Sequence, residues 1–152
     1  MHPFEKMNQM ATPWVESMMA ELSTEDPHKA LSALGAGLKA LRARLTTEEA
    51  ARFGARLPLL IRGLFFEGWD PAIKPREIHQ RSELLALVRE KYAPRSDMPT
   101  DAIAAAFLAV LDGQLGTAEM AEVASKFPTL VIDFGWPGIV RKPDRAPMQL
   151  AR

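Results

Sequence analysis

The chain has 152 residues, 47% of them hydrophobic and 25% charged, which is enough apolar material for one compact interior beneath a solvated surface. Its 19 basic and 19 acidic side chains cancel, so no whole-molecule positive field draws it to nucleic acid or to an acidic membrane. The lack of cysteine excludes disulfides, thiolate nucleophiles and cysteine-ligated metals.

Taken in chain order, residues 1–11 read as a short helical arm in which Phe4, Met7 and Met10 keep a three-residue period. The segment lacks the apolar core of a signal peptide. No run approaches the roughly 18 apolar residues of a membrane span, so cytoplasm is the expected location. A helix is predicted over Pro13–Leu22, with the Thr12 hydroxyl as its N-cap. The next, Pro27 to Leu45, has Asp26 as cap and a buried stripe of Leu31, Leu34, Leu38, Leu41 and Leu45. Gly35-Ala36-Gly37 interrupts that stripe. Glycines cost helix propensity, so close approach of another helix is the expected compensation.

Thr46 and Glu49 have the spacing of a capping box, which starts a third helix. Pro58 breaks the run after Leu57, because proline lacks the donor and crowds the preceding turn. A short fourth helix then spans Leu59 to Phe66 and ends at Gly68. After the linker Trp69–Pro75 the series resumes. It has a helix over Glu83–Tyr92 capped by Ser82, and an alanine-rich one near Pro99–Leu115 that is expected to be the most buried. A third begins at Gly116 and Thr117, and a short last element runs from Thr129 toward Gly135 and Pro137. Thr129–Trp136 is β-branched enough to score as a strand, but a lone strand would leave its backbone groups unpartnered.

The two series superpose. Sliding the chain by 70 residues lays Leu38, Leu41 and Leu45 over Leu108, Leu111 and Leu115. The same shift lays Thr47, Glu49 and Pro58 over Thr117, Glu119 and Pro128. The fold class expected is all-α: two tandem copies of a roughly 70-residue, four-helix unit, residues 4–70 and 71–138, packed as one compact protein, with 139–152 as a flexible tail.

The block Ala40–Pro71, with Leu-Thr-Thr-Glu-Glu-Ala at 45–50, Leu57-Pro58 and Phe65-Phe66-Glu67-Gly68-Trp69-Asp70-Pro71, resembles the DUF2267 family of uncharacterised bacterial helical proteins. Lys74-Pro75 matches a Lys-Pro common soon after that block, and the aromatic pair, often tyrosine in the family, is phenylalanine here. The resemblance covers roughly residues 4–136 and implies an all-helical, duplicated architecture. It supplies no catalytic residues, and the second unit keeps only Phe134, Gly135 and Trp136 of the aromatic block.

No active site is legible. His2, His28 and His79 lack metal-ligand spacing, and the carboxylate pairs Glu25-Asp26 and Glu48-Glu49 lie at helix starts, where capping explains them. No serine has a nucleophile context, and the glycines form no phosphate loop. No catalytic residue, cofactor or metal is expected. A protein-interaction, structural or regulatory role is favoured, with an unknown protein partner or self-association. The candidate surface is Phe65, Phe66 and Trp69 with Arg42, Arg52 and Arg56. Aromatics anchor interfaces well. Residues 39–66 are net basic while 109–136 are net acidic, with Arg42 over Asp112 and Arg52 over Glu122 as direct reversals. That polarity would orient the halves on each other or guide self-association. One alternative is a small-molecule-binding protein or enzyme with an inter-repeat pocket lined by Trp14, Met18, Phe65 and Trp69. Nucleic-acid binding by the basic span, helped by Arg141, Lys142 and Arg145, is the less favoured alternative.

Overall fold

A computed structural model describes residues 2–92 and 97–126. Among them are seven helices and no strand: α1 (Pro3–Leu22), α2 (Pro27–Ala43), α3 (Thr47–Ala55), α4 (Leu59–Phe66), α5 (Arg81–Tyr92), α6 (Thr100–Gln114) and α7 (Thr117–Lys126). The proposed break at Pro128, the element from Thr129 and the tail lie outside the described residues.

The arm and the first predicted helix are one helix. His2 Nδ1 accepts the Phe4 N–H at 3.2 Å, with Pro3 at the first position. Thr12 is therefore not a cap: its hydroxyl donates to the Asn8 carbonyl, four residues back, at 2.6 Å. Pro13 removes one helical hydrogen bond and crowds the turn before it, yet the helix continues because Ala11, Trp14 and Met18 bury one continuous face. α1 ends on Ser23 in the left-handed region at φ 54°, where Ser23 N–H donates to Ala20 and Thr24 N–H to Met19. Ser82 is likewise inside a helix. The Glu83 carboxylate, reaching back to the N–H groups of His79 and Gln80 at 3.1 and 3.0 Å, starts α5 instead.

The other starts follow local chemistry. Asp26 accepts from His28 and Lys29 at 2.9 and 3.4 Å. Thr46 and Glu49 exchange both bonds of the capping box. At α7 the Glu119 carboxylate folds over Gly116, so that a Cβ there would meet Oε1 at 2.6 Å.

The centre of the molecule is α2, which packs on α1, α4, α5 and α6, while α6 lies against α1 and α5 as well. The helix near Pro99–Leu115 thus shares the interior with α2, whose buried face runs continuously from Ala33 to Leu38 and on through Ala40, Leu41 and Arg42. The glycine pair sets the close approach. A Cβ on Gly37 would stand 2.4 Å from Phe107 Cγ of α6, and one on Gly35 3.2 Å from Leu64 Cδ1 of α4. Leu31, counted in the buried stripe, is instead 40% exposed, because it lines an open groove and no described residue covers it there.

Candidate functional site

The Phe65–Trp69 block forms a graded stack. Phe65 is fully buried between Phe53 and Phe66, with ring centroids 5.5 and 4.9 Å away; Phe66 then meets Trp69 at 5.1 Å, and both are half-buried. Phe65 therefore belongs to the core and offers no contact surface. Gly54 makes room for the stack, since a Cβ there would lie 2.4 Å from the Phe66 ring.

Arg42 is also interior, at 9% exposure. Its Nη1 donates to the carbonyls of Phe65 and Glu67 at 2.9 and 2.8 Å, closing the C-terminal end of α4, where helix carbonyls carry negative partial charge. Burial holds its pKa below the usual arginine value. Arg62 does the same for α3, donating to Gly54, Ala55 and Leu57 carbonyls between 3.1 and 3.2 Å. Lys39 pairs with Glu67 at 2.6 Å.

The charge reversal between the halves meets itself inside one molecule. Arg52 donates to Glu122 through Nε and Nη2 at 3.2 and 2.8 Å. Arg56 lies 3.5 Å from Glu122 and 3.6 Å from Glu119, and Lys126 pairs with Glu49. Helices α3 and α7 are thus laced by ion pairs, so Arg52 and Arg56 are both engaged within the chain. Asp112 is buried, and the groups that the Arg42 guanidinium reaches are the main-chain carbonyls of Phe65 and Glu67.

Two concavities among the described residues open onto the surface beside these groups. The larger, about 790 Å³, is a groove between α1 and α4. One wall carries Ala11, Val15 and Met19, the other Leu60, Gly63 and Leu64, with Leu31 at its floor and Glu16 and Glu67 at its polar edges. Leu31 and Leu60 are 40% and 45% exposed, and Met10 and Leu59 also stand in solvent. Among the described residues nothing beyond its own helix backbone and chain neighbours lies within 4 Å of where a Gly63 Cβ would be. The smaller, about 140 Å³, lies where the end of α2, the 68–76 loop and α5 meet; it is lined by Trp69 and by the cations Arg42, Lys74, Arg76 and Lys91. Of the residues expected to line an inter-repeat pocket, Trp14, Met18 and Phe65 are core residues exposed by 2% or less, and Trp69 lines the smaller cavity instead.

Neither concavity was legible in the sequence. The groove had one usable signal, the cluster of apolar positions at Met10, Leu31, Leu59 and Leu60 on helices that also have a fully buried face. The pocket draws on three separate elements and had none. Among the described residues no three His, Asp or Glu side chains are grouped to hold a metal, and no helix is long and apolar enough to cross a membrane.

No curated protein matches the chain. The model of one family, described as "Uncharacterized conserved protein (DUF2267)", matches residues 11–134, most of the sequence, so the chain belongs to the DUF2267 family.

Proposed function

We propose that this member of the DUF2267 family is a protein-interaction module that takes an amphipathic helix of a partner protein into the groove between α1 and α4. The observation that carries this reading is Gly63. A glycine inside a helix costs about 1 kcal/mol relative to alanine, and at Gly35, Gly37 and Gly54 a neighbouring side chain occupies the space it leaves. At Gly63, as at Gly113 of α6, nothing among the described residues does, and the opening at Gly63 falls on the wall of an apolar groove.

The groove has the form a helix needs. Its α1 wall, Asn8, Ala11, Thr12, Val15, Glu16 and Met19, repeats every three and four residues over about 16 Å at roughly 1.5 Å per residue. Helices dock in such grooves through apolar anchors at i, i+3, i+4 and i+7. Glu16 is exposed at the edge and has no ion pair among the described residues, so a basic side chain in the partner is favoured.

The basic span supports a protein partner over nucleic acid, because Arg42, Arg52, Arg56 and Arg62 are all engaged within the chain. The two-unit organisation belongs to the same proposal. Helices α3 and α7 begin 70 residues apart, at Thr47 and Thr117, and the Arg52–Glu122 pair joins positions with that same separation.

The test is selection of helical peptides from a displayed random library, with Gly63→Trp and Glu16→Lys as comparison proteins. Selected peptides are expected to show apolar residues at i, i+3, i+4 and i+7 with a Lys or Arg, and to lose at least about tenfold in affinity on Gly63→Trp. Failure to enrich any peptide, or binding indifferent to Gly63→Trp, overturns the reading. Concentration-dependent dimerisation abolished by Gly63→Trp would replace the partner helix with a second copy of this chain.

A further inference from the structure

We propose that the pocket beside Trp69 binds a soluble phosphomonoester, its phosphate among Arg42, Lys74 and Arg76 and its organic part against the indole. This site is separate from the helix groove and stands or falls independently of it.

Four cations converge on a space of about 140 Å³, from α2, the linker and α5. The carboxylates that face them are fewer. Glu90 accepts from Arg76 at 3.1 and 2.9 Å and lies 3.4 Å from Lys91, and the hydrogen bond from Arg76 holds its carboxyl below the usual range. Asp70 lines the pocket but turns the loop, accepting the Ala72 N–H at 3.0 Å. Among the described residues, two carboxylates against four cations leave the pocket positive.

The decisive group is Arg42. It is nine-tenths buried, its Nη1 is held by two main-chain carbonyls, and no carboxylate reaches it among the described residues. A buried guanidinium without a counter-charge is costly, and the end of α4 offsets only part of that cost through its partial charge. A bound dianion supplies the remainder, and guanidinium and ammonium groups together are the usual partners of phosphate oxygens.

The frame is fixed by the fold. Arg76 N–H donates to the Ala43 carbonyl at 2.7 Å and so ties the linker to the end of α2. Lys74 is exposed, precedes Pro75 and has no ion pair among the described residues, leaving its ammonium for a ligand. The volume falls short of the roughly 300–1,000 Å³ of sites that enclose a whole drug-sized ligand. It suits a phosphoryl head with a small flat or apolar group laid on Trp69.

Isothermal titration of the full chain with phenyl phosphate, inorganic phosphate and phenol, at matched ionic strength, tests the assignment. Phenyl phosphate is expected to bind at one site, more tightly than inorganic phosphate, with no response to phenol. Lys74→Glu is expected to weaken it at least about tenfold and Lys74→Ala by less, while Lys6→Glu, the same charge change on α1 outside the pocket, leaves it unaltered. No heat beyond that of matched sodium chloride overturns the proposal, as does an equal effect of Lys74→Glu and Lys6→Glu. Co-sedimentation with phosphatidylcholine vesicles carrying phosphatidic acid separates a lipid source: Lys74-dependent vesicle binding without any response to phenyl phosphate would overturn the soluble ligand.

Discussion

The seam between α2 and α6 and the groove between α1 and α4 each place a glycine in the middle of a helix, and they treat it in opposite ways. At the seam the Phe107 ring occupies the space that a Gly37 side chain would need. At the groove the space beside Gly63 is open, and the leucines around it reach solvent. The same residue type, with the same cost in helix propensity, is a packing device in one region and meets no side chain among the described residues in the other. Where an interior contact accounts for a glycine, the fold is sufficient explanation; at Gly63 no described residue supplies one, and the proposed partner helix would.

The strongest way to break that contrast is Gly37→Ala. The added methyl would stand 2.4 Å from Phe107 Cγ and 2.9 Å from its Cβ, so the ring root and not merely its edge must move. Overpacking of this kind costs about 1–3 kcal/mol. A fall in the urea midpoint by the corresponding amount is expected. Adding Phe107→Leu to Gly37→Ala should recover part of the loss, since contacting residues couple. An unchanged midpoint for Gly37→Ala alone would mean that the seam is looser than drawn.

These two regions also divide what the sequence disclosed. The seam was legible because Gly35-Ala36-Gly37 interrupts a leucine stripe, and a propensity penalty within an apolar face points to another helix. Helix starts at Asp26 and Thr46 were legible for the same local reason: each cap is a side chain bonding the backbone two or three residues on. Thr12 carries the same signature and misled, because a Thr-Pro pair inside a helix looks like one at its start; only the burial of Ala11, Trp14 and Met18 on one face distinguishes them. Leu31 shows a second limit, since spacing assigns a residue to a face but not what covers that face. Arg42 shows a third: it lies beside the stripe and is buried by α4, an element whose position only the tertiary fold sets. The pocket at Trp69 joins three such elements, so no linear pattern contained it.

Gly63→Ala sharpens the contrast from the other side and has the opposite sign. With no described residue near the new methyl, the helix gains its propensity, roughly 0.5–1 kcal/mol. A rise in the urea midpoint is expected, together with weaker capture of the helical peptides selected on the wild-type groove. Stabilisation without any loss of peptide binding would leave Gly63 unexplained by the groove.

The smallest effect is expected at the ion-paired edge where α3 meets α7, which joins the ends of the chain's two charged spans without sealing them as the seam does. Burial by itself would raise the Glu49 carboxyl, but the hydrogen bond from Lys126 and the Thr46 N–H outweigh it and hold its pKa below 4.5. A carboxylate lowered on folding binds its proton more readily in the unfolded chain, so its contribution is complete above the unfolded value and is lost as pH falls through the folded one. Glu49→Gln keeps the shape and removes the titration. At neutral pH it should cost about 0.2–1 kcal/mol, the range of partly exposed pairs. The difference from wild type should then shrink as the pH is lowered from about 5 toward 3, because protonation makes the two side chains alike. Urea unfolding at several pH values measures both curves. Parallel curves would show that Lys126 and Glu49 do not interact in solution, and that the ion pairing of α3 with α7 rests on Arg52 and Arg56 with Glu119 and Glu122.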